Sequence, residues 1–392
     1  MPDYDVLIAG GSVAGLLAAR EIAAGGLSVG VLEEDAEIGT PEHCGGLVSI
    51  AGIHNLGIVP DAKTIENSGI MRAKIFSPSS FFEIKAEKQK VVVLDRRAFD
   101  KQIAFQAQKM GAEIRVRCSV RSFQKDNLEY IVRTSEGHLS SKYFVDARGI
   151  ASIINRNREG ILQSAQYEVY APWIESDTIE VAFDAQRYPG FFAWIIPTGE
   201  GRGKVGVAGR GINAALSLHS YVNSKGKHSV LRKIYAPIWV NGPLQNFVHG
   251  KMVVVGDAAG QSKPTTAGGI YTCGIGGLLA GQAIVNAASE AAEKNVDSQL
   301  LLRQYEKNWF SLFKDEFGKM ILARRLLERL DNKAIDDLVA AISPETLEEA
   351  SVQTDFDFHS TAIAKILGAK AAAKMAKALL GNEIRRHFLN GS

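Results

Sequence analysis

Apolar positions fall along this chain in two textures. Val6 to Ala9 and Ser28 to Leu32 are short, nearly continuous apolar runs, as in strands buried on both faces. Between them an alanine-rich segment from Val13 has helical length, so the N-terminus predicts strand, turn, helix, strand. Residues 75–93 alternate apolar and polar types and predict strands. Asp95 then stands as an N-cap, Phe99, Ile103 and Ala107 recur at helical spacing, and Gly111 closes the helix. The runs IRVRCSV, YIVRTS and YFVDARG predict short strands, with Cys118 as packing inside the first. From Tyr167 to Gly209 aromatic and β-branched residues between turn signals predict further strands. The run KMVVVGDAAG is a buried strand with a glycine turn, leading to a helix around Ile275 to Glu290. Beyond Leu300 the pattern is helical, with a break at Pro344.

This order predicts an α/β protein in three units. A nucleotide-binding unit is assembled from residues 1–60, 91–160 and 245–295, and a mostly-β substrate domain from residues 61–90 and 161–244 is inserted into it. Residues 296–392 form a helical C-terminal region.

The turn after the first strand reads IAGGSVAG, from Ile8 to Gly15, and Glu33 ends the second strand. Strand, glycine turn, helix, strand and acid together make a dinucleotide-binding βαβ unit. Gly10 allows the tight turn, Gly15 lets the helix pack close, and the first helical N–H groups face a pyrophosphate. Glu33 would accept hydrogen bonds from ribose hydroxyls. Ser12 stands where a middle glycine is usual, and its small side chain still admits a phosphate.

Composition narrows the function classes. A formal charge of +2 over 392 residues favours neither a nucleic-acid binder nor an acidic tail. Cys44, Cys118 and Cys273 are too few and too scattered for a disulfide framework or a metal knuckle, so no metal is expected and a cytoplasmic protein is the default. The first strand begins almost at once, which predicts no secretory leader. Gly274 to Ala288, interrupted by Gln282, is expected to be too short to span a bilayer. Any lipid contact would then be peripheral.

A second nucleotide contact is written in Gly256-Asp257 at a strand end, followed by Pro264 and Thr266-Ala267-Gly268-Gly269-Ile270. Asp257 is placed to take a ribityl hydroxyl, and Gly268 to Ile270 to bring N–H groups to the isoalloxazine. Two such contacts point to FAD rather than NAD. With them the chain resembles the flavoproteins that include para-hydroxybenzoate hydroxylase, and among these the geranylgeranyl reductases. The segments that carry the resemblance are IGTPEHCGGLVS (Ile38 to Ser49), LDRRAFDKQI (Leu94 to Ile103) and VGDAAGQSKPTTAGGI (Val255 to Ile270).

The resemblance implies an FAD-binding Rossmann-like domain of the GR2 type. It implies cofactor contacts at Gly10, Ser12, Ala14, Gly15, Glu33, Cys44, Gly45, Leu47, Arg96, Val120, Asp257, Gly268, Gly269 and Ile270, with Arg96 at or near the FAD phosphates. In the substrate domain the family's Y-x-W-x-F-P stretch is matched by Phe192, Trp194 and Pro197, with Ile196 in place of the second aromatic. The same stretch resembles the W-x-W-x-I-P element of flavin-dependent halogenases. Alternation of Phe192, Trp194 and Ile196 also fits an ordinary core strand. Where nicotinamide-using hydroxylases read A-D-G, this chain has Ala147-Arg148-Gly149, so the electron donor is NAD(P)H, a ferredoxin or a quinol.

The activity implied is saturation of C=C bonds in geranylgeranyl chains of an isoprenoid lipid, with Cys44 as the catalytic thiol. A flavin monooxygenase or halogenase, and a flavin-only electron-transfer dehydrogenase, are the alternatives. Tyr188 to Trp194, with Trp173 and Phe183, would wall the isoprenoid site. Cys44 is a candidate proton donor, or with Cys273 a redox pair. Lys365 to Lys377 is a candidate lipid-surface contact or a solvated helix.

Overall fold

The computed structural model describes residues 2–85, 90–126, 129–152, 154, 158–294, 297–343 and 356–357. The segment Lys365 to Lys377 lies outside the described residues, as does most of the chain after Pro344. The described helices are α1 (Val13–Ala24), α2 (Ile50–Asn55), α3 (Arg96–Lys109), α4 (Ala214–Lys225), α5 (Ile270–Lys294), α6 (Ser298–Leu327) and α7 (Asn332–Ala340).

The first sheet has a parallel centre. Strand Tyr4–Ala9 pairs with Val29–Leu32 on one side and His138–Asp146 on the other, and Met252–Val254 and Glu113–Arg115 extend it outward. An antiparallel hairpin, Val120–Asp126 and Glu129–Thr134, leans on the outer end of His138–Asp146. α1, α3, α5 and α6 share one large core with this sheet, and Trp309, Phe313 and Phe317 of α6 fill its far side. The parallel strands are apolar on both sides because helices and the hairpin cover both faces.

α5 packs on α1 through absent side chains. A Cβ on Gly277 would overlap the Ala14 carbonyl, and one on Gly281 would stand 2.8 Å from that of Ala18. This helix corrects the expectation that its apolar stretch is too short. Ile270–Ser289 has the length and composition to cross a membrane, yet 67% of that window is buried inside the protein. Interior packing accounts for its apolarity.

The second sheet is antiparallel but for one parallel pair and is built from two separate chain segments. Its order runs Ser229–Tyr235, Ile161–Tyr170, Arg202–Gly209, Ala193–Gly199, Thr178–Ala182, Arg72–Phe76, Phe81–Lys85. α4 packs on Ile161–Tyr170 and Arg202–Gly209. A small third sheet, Leu47–Ser49, Val91–Leu94 and Ile65–Asn67, lies between the two large ones and carries the ends of the Cys44 loop and α3.

Two local expectations change. Cys118 sits in the bend between Glu113–Arg115 and Val120–Asp126, after Arg117 at φ +57°, with its N–H donating to the Glu33 carbonyl at 2.8 Å. It is fully buried packing, but not in a strand. Trp173 and Tyr188 lie beneath α4, on the face of the sheet opposite Phe192 and Trp194. Period-2 alternation separates two faces without saying which face meets which neighbour.

Candidate functional site

The first turn is shaped for a phosphate. Gly10 has φ +106°, and a Cβ there would overlap the Ala147 carbonyl, so neither the conformation nor the space admits a side chain. A Cβ on Gly15 would overlap the Gly10 carbonyl. Side chains of Ser49, Asp95, Asn213, Asp297 and Asp331 cap α2, α3, α4, α6 and α7. Ser12 makes no such bond at α1, and the first-turn N–H groups stay available to an anion. Ala14 faces Gly277 at the base of this turn.

Glu33 directly follows strand Val29–Leu32 beside the same turn and accepts from the N–H of Gly11 at 2.7 Å and of Asp35 at 2.9 Å. Burial raises its carboxyl above the usual range against those two donors. Val120 opens the strand next to the Cys118 bend, which is tied to Glu33. A loop of glycines, a bare helix start and an acid at the strand end fit the adenosine diphosphate half of FAD.

The second turn also fits. Gly256 has φ +69° after strand Met252–Val254, and Asp257 follows in a single 3-10 turn. Burial raises the Asp257 carboxyl, and the Cys273 thiol donates to it at 3.5 Å. Burial also pushes the Cys273 thiol well up, with Asp257 adding to the effect. Cys273 lies under Gly269, where an added Cβ would stand 2.8 Å from its sulfur. Ala267, just before Gly268, holds φ +55°, a strained conformation for a residue with a Cβ. That backbone turns Ala267 into a cluster with Phe191, Phe192, Phe183 and Trp194. Gly268, Gly269 and Ile270 lead into α5 directly after it.

Cys44 is half-buried in the loop that precedes strand Leu47–Ser49. Its sulfur accepts from the Gly46 N–H at 3.3 Å, and it lies near enough to the Arg96 guanidinium to act on its charge. Arg96 is turned onto Asp100, with Nε and Nη2 at 2.9 and 2.8 Å from its two oxygens. Burial pulls the Arg96 guanidinium down, but Asp100 and Cys44 hold it above its ordinary value. Cys44, Cys118 and Cys273 are all free, and Cys44 and Cys273 have separate polar partners.

Gly45 lies against the inserted sheet, where its Cβ would meet Ile196 at 2.6 Å. Trp194 Nε1 donates to Gln166 Oε1 at 3.2 Å, and Gln166 Nε2 donates to the Cys44 carbonyl at 3.5 Å. A Cβ on Gly206 would overlap the indole, so Trp194 lies flat on the bare backbone of the neighbouring strand. Pro197 follows on the strand of Trp194, opposite Gly203, and its carbonyl accepts from Asn67 at 3.0 Å. Leu47 joins Trp194 and Ile196 in one apolar cluster. The geometry thus gathers Cys44, Gly45, Leu47, Trp194 and Ile196 at one junction, with Phe192 against Trp194 and Ala267 in the same apolar cluster as both.

Sequence reasoning missed Gln166, Glu42 and Lys204. Gln166 and Lys204 are polar residues buried at 4% and 0% exposure within strands, and a polar residue at an inward position was the available signal. The Arg148 departure also has a local explanation. Its guanidinium closes on Asp146, at 2.9 Å to each oxygen, and Ser152 donates to the same carboxylate.

No family model matches the chain. Two digeranylgeranylglycerophospholipid reductases from Methanopyrus kandleri are 32% and 30% identical to it. The first aligns over 88% of this chain and 96% of its own length, the second over 88% and 92%. A solved geranylgeranyl bacteriochlorophyll reductase-like protein from Thermoplasma acidophilum is 26% identical, with a TM-score of 0.82 over 96% of this chain and 98% of that one. A flavin-dependent brominase at 18% identity and a TM-score of 0.64 shows the fold alone.

Proposed function

This chain belongs to the geranylgeranyl reductase family of FAD-dependent oxidoreductases, and on that footing we propose that it saturates C=C bonds of geranylgeranyl chains, on a membrane-lipid precursor such as digeranylgeranylglycerophospholipid. The observation that carries this reading is the apolar cluster that holds Phe191, Phe192, Trp194 and Ala267, the residue directly before the Gly268-Gly269 turn. When bound, reduced FAD supplies a hydride to one alkene carbon, and the protein supplies orientation and dryness.

The Gly10 turn and the α1 N-terminus would hold the pyrophosphate, Glu33 the ribose hydroxyls and Asp257 the ribityl chain. Phe192, Trp194 and Ile196 lie along an isoprenoid chain and exclude water. Cys44 carries a proton at Sγ and delivers it to the second alkene carbon. The negative charge left on sulfur then faces the Arg96 guanidinium and the Gly46 N–H until solvent returns the proton.

Anaerobic incubation of dithionite-reduced protein with geranylgeranyl phospholipid tests this. Product mass rising by two hydrogens per reduced bond is the expected result. An unchanged lipid mass, with oxygen-dependent hydroxylation or halogenation in its place, overturns it.

A further inference from the structure

A buried ionic cluster at the junction of the second and third sheets is absorbed by none of the roles above. Lys204 is fully buried, and its ammonium meets Glu42 Oε1 at 2.6 Å, Glu66 Oε2 at 2.7 Å and the Leu94 carbonyl at 3.3 Å. Its hydrogen bonds go to Glu42 and the Leu94 carbonyl, and Glu66 adds an ion pair. Glu42, exposed by only 2%, is met from several sides. Its Oε1 also accepts from the Arg96 N–H at 3.2 Å, and its Oε2 meets Arg232 Nη2 at 2.7 Å and Arg97 Nε at 3.8 Å. Lys204 and Arg232 belong to the second sheet, whereas Glu42 belongs to the loop of Cys44.

Two buried charges are expensive to desolvate, and a pair this well satisfied yields geometry more surely than stability. Here the geometry falls on one loop. Glu42 stands two residues before Cys44, within about 7 Å of chain reach. Gly45 and Gly46 follow Cys44, Gly46 at φ +80°, and with no side chain neither stiffens the backbone. Glu42 is therefore the charged anchor on the upstream side of the thiol.

We propose that Glu42 is a positioning residue, clamped by Lys204 and Arg232 of the inserted sheet, and that this clamp fixes the Cys44 loop in register with the Trp194 and Ile196 wall. The effect on turnover rests on the function proposed above; the effect on the loop does not.

Hydrogen exchange followed by mass spectrometry on the flavin-loaded protein separates the two. In Glu42→Gln the peptide spanning residues 38–49 exchanges faster, while the α4 peptide, residues 214–225, keeps its wild-type protection. On geranylgeranyl phospholipid, kcat falls by about tenfold or more with a much smaller change in KM, as for a misplaced reacting group. Arg232→Gln removes a partly exposed partner and shows the same pattern more weakly, which keeps the test alive should Glu42→Gln fail to fold. Glu175→Gln, which breaks an exposed pair with Lys74, changes neither readout. Unchanged exchange at 38–49, or equal acceleration in both peptides, overturns the proposal. Selective loosening of 38–49 in a protein whose wild type leaves the lipid unreduced upholds the clamp and rejects the reductase reading.

Discussion

On one face of the inserted sheet Tyr167, Ile195 and Val205 pack with Tyr188 against Leu218 and Tyr221 of α4, with Trp173 at the edge. On the other, Phe192, Trp194, Ile196, Gln166 and Lys204 look toward the Cys44 loop and Ala267. Both faces are aromatic-rich, and both arise from the same alternation along the same strands. The α4 face is closed by one helix of its own domain, so its residues answer only to packing. The opposite face meets separate segments of the nucleotide-binding unit, and there polar groups are buried with partners from distant chain. Burial with long-range polar partners, rather than aromatic content, marks the face that carries chemistry.

Substitutions on the two faces should therefore fail differently. Lys204→Met leaves Glu66 without its cation and Glu42 with only Arg232 and Arg97, and should cost about 3–5 kcal/mol of stability, read by urea unfolding at neutral pH. Its pH dependence follows from the shifts. Burial would raise the Glu42 carboxyl, but Lys204 and Arg232 hold it low, so its contribution is present above the unfolded value and is lost as pH falls. Glu66 is raised by burial against the pull of Lys204, and its ionisation opposes folding. Without Lys204 both carboxyls take up protons more readily when folded. The gap between wild type and variant should thus narrow as pH falls through the carboxylate range, and a constant gap would contradict the assigned pairing.

Leu218→Ala, in the fully buried core under α4, should cost about 2–5 kcal/mol in thermal unfolding. Lipid kcat and KM in the folded fraction should stay at wild-type values. Gly206→Ala places a Cβ into the Trp194 indole and should cost about 1–3 kcal/mol. Unlike Leu218→Ala, it should also shift tryptophan fluorescence and depress lipid turnover. The smallest effect is expected of Tyr221→Phe, which removes a buried hydroxyl with no hydrogen-bond partner beneath α4. Loss of an unpaired polar group should leave stability within about 1 kcal/mol or raise it slightly. A large loss in calorimetry would show that this hydroxyl is in fact bonded.

Much of the fold was legible locally. The Gly10 turn, the Asp95 cap of α3 and the glycine turn at Gly256 are short-range devices, each fixed by residues within a few positions of one another. The candidate site was legible where a motif names its residues, as with Cys44, Trp194 and Gly268. Glu42 was hidden in the same quoted segment as Cys44, because nothing near it in the chain pairs with its charge. Its partners stand 162 and 190 positions away. Trp173 and Tyr188 were assigned to the wrong wall for the same reason.

By itself the sequence determined the N-terminal strand-turn-helix-strand, α3 and the strand and turn before α5, since backbone conformation, capping and burial periodicity act over one or two turns of chain. It also determined that Gly10, Gly15 and Gly256 stand where turns must be tight. Only the tertiary structure decided which aromatic face meets the Cys44 loop and that Lys204 and Arg232 close on Glu42. Ionic and packing contacts depend on distance in space, and the folding of two separate chain segments into one sheet sets that distance.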